Sequence, residues 1–362
     1  MIQTLFLEEL LEKALKKAEK QGVEDFSGRG IRETSTIIRF SNNNVTVNNY
    51  LDTCKVLIYL GYKGRRITAN FENIKEEELI RNLSRIIEKA EKLEPYRHYV
   101  SLPRGRVEYE AIPGLYDSEL SEIGDKAIDI AEGAINSALD EGAKRISGSL
   151  SIKVGKKVLL TSGNRKGEYR YSQIYLNVRA FANEEISGQW NGISTSLRNL
   201  NYEEIGRKAG ELATKTREHE LVKPGKYDVL FSPTVMANFL NALAIETSAF
   251  YVDMGLSAFI DKIGTEVANN KLTVMDDPLM EGNPGGKPFD DEGTPTKKVK
   301  IIEKGVLKTF LHNSFTARRY NAELTGHAGI IVPMAHSLIV EAGNIAEDEA
   351  LKALKEGLYI TN

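Results

Sequence analysis

The run Ser232-Pro-Thr-Val-Met-Ala-Asn-Phe-Leu-Asn-Ala-Leu-Ala-Ile-Glu-Thr-Ser-Ala-Phe-Tyr-Val-Asp-Met-Gly255 carries the signals of one long helix. Ser232 can accept from the free N–H groups of a first turn, and Pro233 suits the first helical position, where no N–H is needed. Gly255 can take the left-handed backbone that ends many helices. No ionisable side chain lies between Asp228 and Glu246. An amphipathic surface helix would show a charged face, so this composition predicts a helix buried in a domain core. The run is also shorter than a membrane span before Glu246 interrupts it, and Asn238 and Asn241 sit near its centre, which favours a soluble core.

Outward from this run, 362 residues are too many for one ordinary core and predict about two domains. Val222-Lys-Pro-Gly-Lys226 is a turn-forming segment and the expected boundary, giving an N-terminal domain over 1–221 and a C-terminal domain over 222–362. Tyr227–Phe231 reads as a buried strand leading into the helix. In the N-terminal part, a helix over Leu5–Gln21 is followed by strand patterns at Ile31–Phe40, Val45–Asn48, Thr53–Tyr62 and Arg66–Phe71, and by a charged helix over Glu76–Leu93 capped by Asn73. The order then repeats. A helix over Ser118–Gly142 precedes strands at Ile146–Val154, Lys157–Thr161, Glu168–Ala180 and Glu184–Trp190, and Asn201 opens a helix to Thr216. This describes an α+β fold with layered helices and antiparallel strands, in which a helix–four strands–helix unit occurs twice. Beyond the central run come strand Lys271–Met275, a hairpin of Val299–Glu303 with Val306–Leu311 around Lys304-Gly305, and short helices at Phe315–Asn321 and Ile345–Lys355.

The 27% of charged residues nearly balance, leaving a formal net charge of −3. The basic pairs Arg65-Arg66, Lys297-Lys298 and Arg318-Arg319 are isolated, so no basic stripe predicts nucleic-acid or acidic-lipid binding. The one cysteine, Cys54, forbids an intramolecular disulfide and sits in a strand pattern, where a buried, inert thiol is expected. Glu8 and Glu9 in the first turns and the lack of a basic leader predict a cytoplasmic protein without a signal peptide.

Chemistry has few candidates. The loop from Asp276 to Thr296 holds four of the ten prolines and the acids Asp276, Asp277, Asp290, Asp291 and Glu292. Its length points to function. Its acids lack calcium-loop spacing. They are expected to brace the loop on backbone N–H groups and on Arg318 or Arg319 rather than hold a cation. His312, His327 and His336 are close in sequence, but no pair has helical zinc-ligand spacing. His327 lies between Gly326 and Gly329 and reads as a ligand-facing loop residue. Neither a nucleophile elbow nor a phosphate-binding glycine loop occurs.

Phe289-Asp-Asp-Glu-Gly-Thr-Pro-Thr296, Ile301-Ile-Glu-Lys-Gly-Val-Leu-Lys308, Ala317-Arg-Arg319 and Thr325-Gly-His-Ala328, in that order, resemble the TldD/PmbA (TldE) family. The likeness is strong in the C-terminal domain and loose before it. The family is described as a modulator of DNA gyrase and as a protease that processes peptides. The resemblance implies two kinds of subunit. The TldD kind carries a helical zinc motif, H-E-x-x-x-H, and the TldE/PmbA kind lacks it and pairs with TldD. Counting back from Ser257-Ala-Phe259, the motif positions fall on Leu240, Asn241 and Ile245. Aliphatic side chains offer zinc no lone pair, and an amide cannot serve as general base.

The resemblance therefore implies a non-catalytic subunit that binds no metal itself and lends a peptide groove to a zinc-bearing TldD-type partner, with a homodimer as the other assembly. Asp290, Asp291, Glu292, Gly293, Thr294, Arg318, Arg319 and His327 are its expected groove or bracing residues. An autonomous metal-dependent peptidase and a peptide- or gyrase-binding modulator are the alternatives. Family members continue for several tens of residues beyond Gly357-Leu-Tyr-Ile-Thr-Asn362, so the C-terminal domain is expected to be cut short.

Overall fold

The computed structural model describes residues 2–216 and 222–361, with side chains from Phe6 onward. The expected boundary at 221/222 falls at the edge of residues 217–221, which lie outside the described residues. The N-terminal elements run α1 (Ile2–Lys20), β1 (Asp25–Ser41), β2 (Asn44–Tyr62), β3 (Arg65–Glu72) and α2 (Glu76–Ala90), then α3 (Lys126–Asp140), β4 (Arg145–Thr161), β5 (Lys166–Phe181), β6 (Ser187–Ser194) and α4 (Tyr202–Lys215). The repeated unit thus has three strands, not four. Val45–Asn48 and Thr53–Tyr62 are one strand, because the polar run between them stays paired with β1, Tyr50 opposite Thr36 and Asp52 opposite Thr34. Backbone pairing continued where the side-chain alternation lapsed.

The six strands form one antiparallel sheet in the order β3-β2-β1-β4-β5-β6. β1 and β4 each have 17 residues, and the tenth of each, Thr34 and Val154, face one another at the centre. That register is what a two-fold relation between the units produces. All four helices cover one face. Leu7, Leu11, Leu79 and Leu83 pack on Phe26, Ile58 and Leu60, while Ala131, Ile135 and Ala209 pack in a second cluster with Ile146, Leu150 and Ile174. Alternation then sends Ser27, Arg29, Ile31 and Glu33 to the opposite face.

Two local expectations change. Ser118–Gly142 is a 3-10 turn at Ser118–Ser121 followed by α3. Asn73 adopts φ 51° and accepts the Cys54 N–H at 2.9 Å instead of capping α2. Asn201 does cap α4, through Glu204 N at 3.0 Å. Cys54 is half-exposed rather than buried, although the burial it has raises its pKa.

α4 lies so close to α3 that a Cβ added at Gly206 would sit 2.1 Å from the Ala134 carbonyl oxygen. Backbone cannot yield as a side-chain tip can, so Gly206→Ala is expected to force the helices apart and cost about 2 kcal/mol. A urea midpoint equal to that of the parent protein would contradict this.

The C-terminal part contains β7 (Val229–Phe231), α5 (Pro233–Glu246), α6 (Ala249–Asp253), β8 (Val274–Asp276), β9 (Val299–Glu303), β10 (Val306–Leu307), α7 (Ser314–Tyr320), β11 (Leu338–Val340), α8 (Glu347–Ala353) and β12 (Leu358–Ile360). A four-stranded antiparallel sheet has the order β10-β9-β8-β11, and β7 pairs in parallel with β12. The whole is α+β with mostly antiparallel sheet.

The central run is not one buried helix. α5 starts as expected, with Ser232 accepting from Val235 N at 3.3 Å and Pro233 in its first turn. It ends at Thr247, where Leu311 N donates to the Thr247 carbonyl at 2.9 Å and Ala249 N donates to the Leu311 carbonyl at 3.0 Å, so that an isolated bridge between Ser248 and Leu311 replaces helix continuation. No α5 residue is buried. Leu240 and Leu243 rest partly on the C-terminal core, while Phe239 and Ile245 stay 51% and 44% exposed. β7, expected in the interior, likewise leaves Val229 and Phe231 exposed. Low charge described the composition of this surface but not its place.

Candidate functional site

The loop from Asp276 to Thr296 packs on the helix-free face of the large sheet. Its tip is a tight turn. Asp290 N donates to Thr294 O at 3.0 Å, Gly293 N to Asp290 O at 3.1 Å, and Gly293 takes φ 74°, which glycine adopts without strain. The Asp290 carboxylate closes the turn from inside, accepting Glu292 N at 3.0 Å and Thr294 N at 2.8 Å on Oδ1 and Ala328 N at 3.0 Å on Oδ2. Glu292 reaches the other way, to the backbone N–H (3.0 Å) and hydroxyl of Ser314 at the start of α7. Both carboxyls are buried, at 3% and 4% exposure. Burial raises the pKa of each well above the usual carboxylate range. Mutual repulsion adds to this at Asp290, and the N–H groups around both pull the other way.

The turn is clamped to the sheet. Arg29 of β1 pairs with Asp291, and Ser27 Oγ donates to Asp291 O at 2.9 Å. Arg165 Nη1 donates to Gly293 O at 3.0 Å and Thr294 Oγ1 at 3.2 Å, and Tyr109 OH to Gly293 O at 2.9 Å. The five loop residues singled out in sequence, Asp290 to Thr294, therefore come together. The expected arginines do not join them: Arg319 pairs with Asp253, and Arg318 is exposed beside a cavity near His98 and Phe315. The bracing cations come instead from Arg29 and Arg165. Arg29 could have been suspected from strand alternation, because it shares the bare face with Ser27. Arg165 sits in a turn and carried no signal.

His327 does not line a groove. It is fully buried, with Nε2 3.1 Å from Asp276 Oδ1 and Nδ1 2.8 Å from Thr325 O. Both ring nitrogens face oxygen atoms. His336 stacks on it, centroids 4.9 Å apart, with Nε2 3.2 Å from Gly326 O and Nδ1 3.3 Å from Lys287 Nζ. That places the His336 proton on Nε2 and makes Nδ1 the acceptor for the lysine, consistent with a pKa held well below the ordinary value by burial and by Lys287. His312 lies elsewhere, its Nδ1 3.2 Å from Thr316 Oγ1, and burial alone lowers its pKa to about 4.

No group of three or more His, Cys, Asp or Glu side chains among the described residues is placed to hold a metal ion. The two acids that open the loop are already engaged: Asp276 with His327 and the N–H groups of His336 and Ser337, Asp277 with Lys298. On α5, Leu240 is half-buried and Asn241 and Ile245 are exposed. Two hydrocarbon side chains and an amide do not fit zinc.

Two concavities flank the loop. A wide cleft of about 880 Å³ opens beside Asp117, Ser196 and Gly282. Two of its carboxylates are taken, Asp117 by Ser196 (2.6 Å) and Glu119 by Arg198 (2.6 Å), while Glu281 also lines it. The smaller one, about 320 Å³, lies between the bare sheet face and the turn Pro284–Lys287, walled by Tyr169, Tyr171, Lys157 and His336.

Comparison with known proteins now decides the family. Residues 114–217 match the PmbA/TldA metallopeptidase central domain, and residues 224–362 match its C-terminal domain. The chain belongs to the PmbA/TldD family. A metalloprotease of Methanocaldococcus jannaschii is 32% identical over 232 residues, 61% of this chain and 51% of that protein. Metalloprotease PmbA of Escherichia coli O157:H7 is 27% identical over 66% of this chain and 53% of its own length. The chain thus spans about half the length of these curated relatives. Among solved structures, a protein of Thermotoga maritima described as a candidate modulator of DNA gyrase superposes with a TM-score of 0.86 at 26% identity, covering 98% of this chain and 82% of its own. TldE of Thermococcus kodakarensis superposes at 0.82 with 20% identity, covering 97% and 81%, and shares the fold. No helix among the described residues is long and apolar enough to cross a membrane.

Proposed function

We propose that this PmbA/TldD family member is a non-catalytic, TldE/PmbA-type subunit. It pairs in the cytoplasm with a TldD-type zinc metalloprotease subunit and contributes to that enzyme's peptide groove. The observation that carries this reading is α5, where Leu240, Asn241 and Ile245 stand at the positions to which the family's zinc motif maps. A helix that has neither ligands nor a general base can still present a surface.

That surface is apolar. Phe231 and Phe239 stack edge to face at 5.1 Å, and Ile245 and Met254 are also exposed. Exposed apolar side chains in such number favour a protein partner. The buried Asp290–Glu292 turn fits a structural role, fixing the loop that would border the groove.

Purified alone, the chain is expected to show only background zinc-dependent peptidase activity. Mixed with a TldD-type subunit, it is expected to form a heterodimer by native mass measurement. Phe239→Asp should weaken that assembly by about tenfold or more, since a charge would be buried without a partner. Robust zinc-dependent cleavage by the isolated chain would support an autonomous peptidase instead. Recovery of a homodimer that ignores the TldD-type subunit would also count against the reading.

A further inference from the structure

We propose that the 320 Å³ cavity between the bare sheet face and the Pro284–Lys287 turn is a binding site for a small oxyanion, a carboxylate or a phosphate, held by Lys157 and Lys287. The proposal does not depend on the chain's partner or on its catalytic status.

Lys157 projects from β4 into this cavity. Among the described residues its ammonium has no hydrogen-bond or ion-pair partner; its nearest company is the rings of Tyr171 and Tyr169, with centroids 5.1 and 5.6 Å away. Lys287 faces it from the loop and spends one N–H on His336 Nδ1, which leaves two directed elsewhere. His336 cannot balance the charge, because its tautomer is fixed as neutral by Gly326 O on one side and Lys287 on the other.

The negative groups nearby are already engaged. Glu33 accepts from Tyr171 OH at 2.6 Å and Ser35 Oγ at 3.3 Å, and Asp291 is paired with Arg29. Lys55 and Lys153 add positive charge at the rim. Two facing ammonium groups in a partly desolvated cavity repel, and an anion between them would offset both the repulsion and the lost hydration. The cost is visible at Lys157, whose pKa burial and then Lys287 push down to about 8. The cavity volume is at the small end for ligand sites and suits an anionic group with a short carrier.

The test titrates the full chain by calorimetry at low salt with three probes: inorganic phosphate, N-acetyl-trialanine with a free carboxylate, and its C-terminal amide. Phosphate or the free acid should bind, and the amide should bind at least about tenfold more weakly. The first probe to bind distinguishes a phosphate from a carboxylate source. Lys157→Met and, separately, Lys287→Met should each weaken binding by about tenfold while leaving the thermal midpoint level or raised, since each removes one of two repelling charges.

A second readout needs no variant. Because a bound anion draws Lys157 back toward its ordinary pKa, binding at pH 8.5 should take up protons, seen as a heat that depends on the buffer's ionisation enthalpy. Equal binding of acid and amide without phosphate binding, no binding of either anion, binding indifferent to both lysines, or no proton uptake would overturn the proposal.

Discussion

His327→Ala is expected to lower stability by about 3–5 kcal/mol. His327 and Asp276 are each fully buried and face one another at 3.1 Å. Alanine would remove the hydrogen-bond partner of a carboxylate that no water reaches, and would leave Thr325 O, now 2.8 Å from Nδ1, without the ring it faces. Asp276 would retain only the N–H groups of His336 (2.7 Å) and Ser337 (3.0 Å). The damage would spread, because the His336 ring rests on His327 and takes its hydrogen bond from Lys287. Urea unfolding of His327→Ala, Asp276→Ala and the double variant measures the coupling. The double variant should lose far less than the sum of the singles, since it leaves no unpaired charge. Additive losses, or a single-variant loss below about 1 kcal/mol, would mean that the pair is not the coupled buried contact its geometry describes.

The features legible in the sequence were those that repeat or cap. Strand alternation in Ile31–Phe40 and Glu168–Ala180 located β1 and β5, and the Asn201 cap located the start of α4. The repeat of helix, strands and helix was also readable, but its strand count was not. Whether the Asn48–Asp52 segment is a loop depends on its partner across the sheet, at Thr34 to Ile38, and not on its own residues. The site divides in the same way. Phe289–Thr296 stood out because its proline, glycine and acids form a turn by local chemistry. Arg29 and Arg165, which clamp that turn, come from elements more than 120 residues away, so only the fold brings them near. α5 misled for a related reason. Its lack of charge was real, but composition alone cannot distinguish an apolar helix inside a core from one that presents Phe239 and Ile245 outward.

The Asp290–Glu292 pair should make the protein more stable as pH falls from 8 to 6.5. Burial, with Glu292's charge added, pushes Asp290 well above the usual carboxylate range, and burial pushes Glu292 up as well. In the unfolded chain both carboxyls would titrate near 4. Between the two ranges the native state holds protons that the unfolded state has released, so acidification favours folding. The stabilisation from the pair should therefore grow steadily as pH falls across this window.

The neighbouring titrations bound the effect. Lys157, pushed down to about 8, acts above that pH and in the opposite sense: its unfolded form holds the extra proton, so stability recovers as pH rises further. Stability is therefore expected to pass through a minimum near pH 8. Below 6.5, His312 and His336 resist protonation in the fold but accept it when unfolded, which cancels the carboxyl gain and flattens the curve. Glu292→Gln isolates the cause. Its amide oxygen can still accept from Ser314 N and Oγ, as the carboxylate does now, and removing the charge also relieves Asp290. Urea midpoints at pH 6.5, 7.2 and 8 should rise toward acid in the parent protein and change by less than half as much in Glu292→Gln. An equal slope in both would assign the dependence to other groups, and a parent midpoint that falls toward acid would reverse the sign argued for this buried turn.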